Sequence, residues 1–170
     1  NVAIWQRTGL TTFNGPAFIL DVAEQPTMYP YTERYFLAAI TSEIPIGIIK
    51  PSSEWTEEFQ DFERPRILQP SSGWNWLKEG QAQGKLIGGC LESLQHLRGT
   101  PYWPDWKDAI FFFETSEEKP SPETVDGILM DYENMGVFEN LKGLLVGRPM
   151  YYSEEEKQAL NERILEQRPG

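Results

Sequence analysis

GKLIGGCLESLQHLRGTP (residues 84–101), followed closely by AIFFFE (109–114), decides the fold. The spacing predicts a strand at Lys85–Gly89 that runs into a Gly88-Gly89 turn. A helix over 90–98 follows, with Leu91, Leu94 and Leu97 inward. Ala109–Glu114 is a continuous apolar run of the kind that forms a strand buried on both faces. Strand, helix and strand in that order make a β-α-β unit, and hence an α/β protein with a largely parallel sheet.

The same alternation continues downstream. Ser121 is an N-cap with Pro122 at the first helical position, and Val125, Ile128, Leu129 and Tyr132 form one apolar stripe, closed by Gly136. GLLVG (143–147) reads as another buried strand. Ser153 and Glu156 make a capping box for a last helix with Ala159, Leu160 and Ile164 inward.

Upstream, residues 1–8 read as the tail of a helix that ends at Gly9, and Leu10–Phe13 as a short strand entering an Asn14-Gly15-Pro16 turn. A helix is expected from Thr32, carrying Tyr35, Phe36, Ala39 and Ile40. IGIIK (46–50) is a short β-branched run. Residues 51–80 are rich in Pro, Ser, Trp and acid without periodicity, which marks a linker with one or two short strands such as Arg66–Gln69. The chain lacks an initiator Met and stops just after an amphipathic segment, so it is expected to be a piece of a longer protein.

The bulk numbers narrow the function. With 170 residues, 26 acidic against 15 basic groups and a net charge of −11, the surface repels phosphate backbones and anionic headgroups, so neither nucleic acid nor membrane is an expected partner. There is no apolar run long enough to span a bilayer. A single cysteine excludes an internal disulfide and fits a reducing cytoplasm.

Cys90 and His96 are the only residues of their types, and a thiolate with an imidazole is a known nucleophile and base. Six positions apart on one helix, they point about 120° away from each other, so they form no dyad. Gly88 and Gly89 either expose backbone N–H groups to an anion or serve close packing. Glu114 closes a buried strand, where open parallel sheets bind ligands, and a carboxylate there orients a histidine, works as an acid or base, or caps a turn. Trp55, Trp74, Trp76, Trp103 and Trp106 either bind sugars or clamp loops. One His, one Cys and scattered acids give no metal set, and no cofactor motif is present.

TGLTTFNGP (8–16), GKLIGGCLESLQHLRGTP (84–101), AIFFFETSEE (109–118) and LKGLLVGRP (141–149), taken in order, resemble the LD-carboxypeptidase family of serine peptidases, in its microcin-immunity-like branch. The resemblance implies the tail of a flavodoxin-like N-terminal domain at 1–50, a linker at 51–83, and most of a swivelling β/α C-terminal domain at 84–170. It implies a Ser-His-Glu triad with Glu114 as the catalytic acid, and Gly88, Gly89 and Cys90 at the substrate. Cys90 stands where the family usually has Asn. The serine is expected upstream of residue 1 and the histidine beyond Gly170, so this chain alone is expected to be inactive. The implied substrate is an amide at an L,D junction of a murein peptide, met in peptidoglycan recycling, or a peptidyl-nucleotide. A cytoplasmic homodimer without cofactors is the expected setting. Two other readings stay open: a non-catalytic peptide- or nucleotide-binding module, and sugar binding.

Overall fold

The structure is a computed structural model that describes residues 1–167; Arg168, Pro169 and Gly170, the end of the expected C-terminal domain, lie outside the described residues. Two compact units form: Asn1–Phe13 with the chain from Leu77 onward, and Asn14–Trp76. Compactness therefore divides the chain elsewhere than at 50 and 83. Residues 51–76 pack with 14–50, while the first thirteen residues join the later part.

The first unit begins with α1 (Val2–Thr8), capped by Gly9 at φ 73° as its sequence implies. The second unit contains a π-turn at Phe18–Val22, α2 (Pro30–Thr41), and the two-residue strands β1 (Glu54–Trp55) and β2 (Gln69–Pro70), paired antiparallel. Helix α2 starts two residues before Thr32, because Pro30 fits the first turn without needing a backbone N–H.

The remaining elements belong to the first unit. They are β3 (Lys85–Cys90), α3 (Leu91–Leu94) with a 3-10 turn at Gln95–Leu97, β4 (Ala109–Glu114), α4 (Pro122–Asn134), a 3-10 turn at Val137–Asn140, β5 (Gly143–Val146) and α5 (Glu154–Gln167). The strands form a three-stranded parallel sheet in the order β3-β4-β5, with β4 in the middle. The α/β class with a parallel sheet is thus observed.

The core lies on one face of β4. Ala109, Phe111 and Phe113 are fully buried against Leu91 and Leu94, the α4 stripe of Val125, Leu129 and Tyr132, and Leu160 and Ile164 of α5. Each such large apolar side chain contributes about 1.5–3 kcal/mol. Trp106 meets Phe111 edge-on at 4.8 Å, and Trp103 meets Tyr132 at 5.0 Å; such pairs add about 0.5–1.5 kcal/mol each. Trp103 and Trp106 are clamps, whereas Trp74 and Trp76 are exposed. Ser121 caps α4 by accepting from the Thr124 N–H at 3.3 Å. The Ser153–Glu156 box closes reciprocally on α5, at 2.7 and 3.2 Å.

Four local expectations are corrected. Leu10–Phe13 forms no strand, since among the described residues no strand pairs with it; the Phe13 carbonyl instead accepts from the Asn1 side chain at 2.7 Å. Gly88 and Gly89 are strand residues rather than a turn, because β3 stays in register with β4 through Gly88↔Phe112, Gly89↔Phe113 and Cys90↔Glu114. The helix expected over 90–98 is a single α-turn followed by a 3-10 turn. Finally, β5 lies on a sheet edge with Leu145 exposed, and on β4 the opposite face, Ile110 and Phe112, is half-buried rather than sealed.

Candidate active site

The carboxyl ends of three strands converge on Glu114. Cys90 ends β3 directly across from Glu114, and the N–H of Gly147, just past β5, donates to the Phe113 carbonyl at 2.7 Å. Glu114 itself is exposed at the end of an alternation whose inward members are buried. The strand therefore holds the backbone while the carboxylate leaves the core. A charge in this place avoids the cost of burial and faces the side of the sheet where open α/β folds bind ligands.

Two glycines permit this convergence. A Cβ on Gly88 would fall 1.7 Å from the Phe112 carbonyl oxygen, so only glycine lets β3 lie this close to β4. A Cβ on Gly147 would stand 3.0 Å from Glu114 Cβ and 3.2 Å from its Cα. Close backbone approach accounts for Gly88 without any ligand.

Glu92, in α3, ties the site together. Its Oε1 accepts from both the backbone N–H and the hydroxyl of Ser116, at 3.0 and 2.8 Å. Its Oε2 lies 3.5 Å from Cys90 Sγ, which donates to it. The buried hydroxyl of Thr115, between Glu114 and Ser116, has no hydrogen-bond partner among the described residues. Sequence reasoning singles out Glu114, Gly88, Gly89 and Cys90, and the sheet brings all four to its carboxyl end. It misses Glu92, Ser116 and Gly147. Each sits inside a recognisable motif, but at a position to which neither periodicity nor capping assigns a role.

His96 lies on the exposed side of the 3-10 turn, and Glu117 and Glu118 are exposed in the loop after β4. Nearby, Lys119 pairs with Glu156 at 2.9 Å, and that contact with the Ser153 N–H holds the Glu156 carboxyl below its usual value. Burial pushes the Tyr152 hydroxyl up to about 12 while it donates to the Pro120 carbonyl. The loop is thus anchored at its far end. Among the described residues no group of His, Cys, Asp and Glu could hold a metal ion, and no helix is long and apolar enough to cross a membrane. A surface hollow of about 720 Å³ lined by Gln83, Gly84, Lys85, Asp105, Lys107 and Asp108 lies at the opposite, amino-terminal end of the strands, away from this chemistry.

A parallel sheet that delivers a carboxylate at the carboxyl end of its middle strand defines a class of α/β protein suited to active-site acids. The comparisons with known proteins make this particular. Residues 83–169 match the LD-carboxypeptidase C-terminal domain, and the chain belongs to that family. YocD of Bacillus subtilis, assigned as a carboxypeptidase, is 36% identical over 148 residues, covering 86% of this chain and 44% of that protein. The microcin C7 self-immunity protein MccF of Escherichia coli is 26% identical over 151 residues, 85% of this chain and 43% of that one.

Among solved structures, an MccF-like protein from Bacillus anthracis superposes with a TM-score of 0.82 at 30% identity, covering 98% of this chain and 51% of that one. The MccF-like protein from Streptococcus pneumoniae, solved in complex with AMP, gives 0.80 at 29% identity, covering 98% and 55%. The chain spans about half the length of the relatives it matches.

Proposed function

We propose that the complete protein is a serine peptidase of the LD-carboxypeptidase type, with Glu114 as the acid of a Ser-His-Glu triad and Gly88, Gly89 and Cys90 beside the substrate. The carrying observation is the position of Glu114: exposed, at the end of the rigid central strand, inside the segment that matches the family. In this mechanism a serine attacks the amide carbonyl, and the histidine takes its proton and returns it to the leaving amine. The carboxylate holds one imidazole tautomer and stabilises the imidazolium that forms. The proposal extends to a cytoplasmic homodimer that cleaves an L,D-peptide or peptidyl-nucleotide amide without a metal or cofactor.

The test is Glu114→Gln in the complete protein. An amide of the same shape neither fixes the tautomer nor offsets the charge, so kcat falls by roughly 10² to 10⁴, by analogy with other triads. Glu117→Gln and Glu118→Gln, on the loop, change kcat little. A wild-type rate for Glu114→Gln with a dead loop variant would move the acid elsewhere. A second reading, a binding module without turnover, draws support from the AMP complex of the Streptococcus pneumoniae neighbour.

A further inference from the structure

We infer that Glu92 is a positioning residue for Glu114, acting by clamping Ser116 in the turn that follows β4. The inference rests on the triad reading above. Glu114 is the last residue of its strand, and sheet pairing holds it on two sides, through the Cys90↔Glu114 register with β3 and the Gly147 N–H on the Phe113 carbonyl. Beyond Glu114 the chain leaves the sheet. What fixes the next two residues therefore bears on where the Glu114 backbone, and with it the carboxylate, is held.

Glu92 supplies that restraint. One carboxylate oxygen takes both donors of Ser116, its N–H and its hydroxyl, while the other takes the thiol of Cys90. Both Ser116 donors meet one acceptor oxygen at 3.0 and 2.8 Å, and Glu92 is half-buried, where water competes less for that oxygen. The residue lies in the first turn after β3, and its reach spans 24 positions of sequence to a point two residues past Glu114. It thus joins the ends of the two strands that carry Cys90 and Glu114. Freed from it, the 115–116 segment can shift, and a misplacement of about 1 Å in a catalytic group costs up to about 10² in rate.

The test uses the complete protein and an L,D-tetrapeptide, with the peptidyl-nucleotide as a second substrate. Glu92→Ala should lower kcat about 10- to 100-fold, with KM within about threefold and the folded fraction confirmed by its thermal transition. Glu92→Gln keeps an oxygen for Ser116 and should return kcat to within about threefold of wild type. In a Glu114→Gln background, Glu92→Ala should cost less than about twofold more, because residues that act as a unit are not additive. Equal losses in both backgrounds, a wild-type rate for Glu92→Ala, or no rescue by Gln would each overturn the inference. Should Glu92→Ala not fold, Ser116→Ala removes one of the two donors. It should lower kcat about 3- to 10-fold, again only when Glu114 is present, and an unchanged kcat overturns the inference. If Glu114→Gln itself is as fast as wild type, the triad assignment fails, and this inference falls with it.

Discussion

At the scale of single residues, Gly147 sets how near the β5 end comes to Glu114. The atoms that an added methyl would meet are the Cα and Cβ of Glu114 and the Phe113 carbonyl, at 3.0–3.2 Å, and β4 is too well packed to give way. Gly147→Ala should therefore displace Glu114 and lower kcat of the complete protein about 10- to 100-fold while the fold persists; an unchanged kcat would show that the acid tolerates the shift. Cys90→Ser and His96→Gln should leave kcat within a few fold. A loss on the order of 10³ for His96→Gln would instead revive a local histidine base. Glu114 was legible in the sequence because an acid that closes a five-residue apolar run marks the point where a buried strand meets solvent, at the end of the sheet that binds ligands. Glu92, Ser116 and Gly147 were not, since what they do lies in contacts across strands, and periodicity carries no information about which side chain reaches a neighbouring strand end.

At the scale of elements, the second unit is organised by a buried polar cluster rather than by an apolar core. Glu24 is buried; it accepts from Arg66 Nε at 2.6 Å, from the backbone N–H of Arg66 and Gln25, and from Gln60 Nε2 at 2.9 Å. Burial alone would raise its pKa, but these hydrogen bonds, those from Arg66 foremost, hold it below the ordinary 4.5. Asp21 pairs with the same guanidinium at 2.9 Å. Because folding lowers the Glu24 pKa, its stabilisation is complete above the unfolded value and is lost as the pH falls through the folded one. Amide protection in residues 14–76 should accordingly drop below about pH 4.5, the range in which an unperturbed Glu titrates. Glu24→Gln should weaken that dependence, leaving the part carried by Glu58 and Asp61, whose carboxyls are also held low by hydrogen bonds. It should also cost about 3 kcal/mol, the low end for a broken buried pair because Asp21 still faces Arg66. A protection profile that stays flat through this range in the wild type would refute the assignment. No periodic signal announces such a cluster, which is why residues 51–80 read as linker. By contrast, the β3-to-α5 elements were legible because caps, Pro at a first helical turn and apolar stripes are local.

At the scale of the whole molecule, the proposed triad distributes its members beyond these 170 residues. The one histidine here, His96, is exposed on a 3-10 turn, and the chain covers 44% of the Bacillus subtilis relative. The triad reading thus requires turnover to appear only when the acid meets a serine and a histidine supplied by the rest of the protein. Loss of nucleophile and base together removes on the order of 10⁶ in kcat from a serine peptidase. The isolated 170-residue chain, purified to homogeneity, should therefore show no cleavage of an L,D-tetrapeptide or a peptidyl-nucleotide. The complete protein should cleave at least one of them, and the ratio of its two kcat/KM values identifies the natural bond, because that ratio measures differential binding of the two transition states. Turnover by the isolated chain would place a nucleophile within it and sink the triad as assigned. A complete protein that binds AMP in calorimetry yet cleaves neither substrate would favour the binding-module reading over the peptidase.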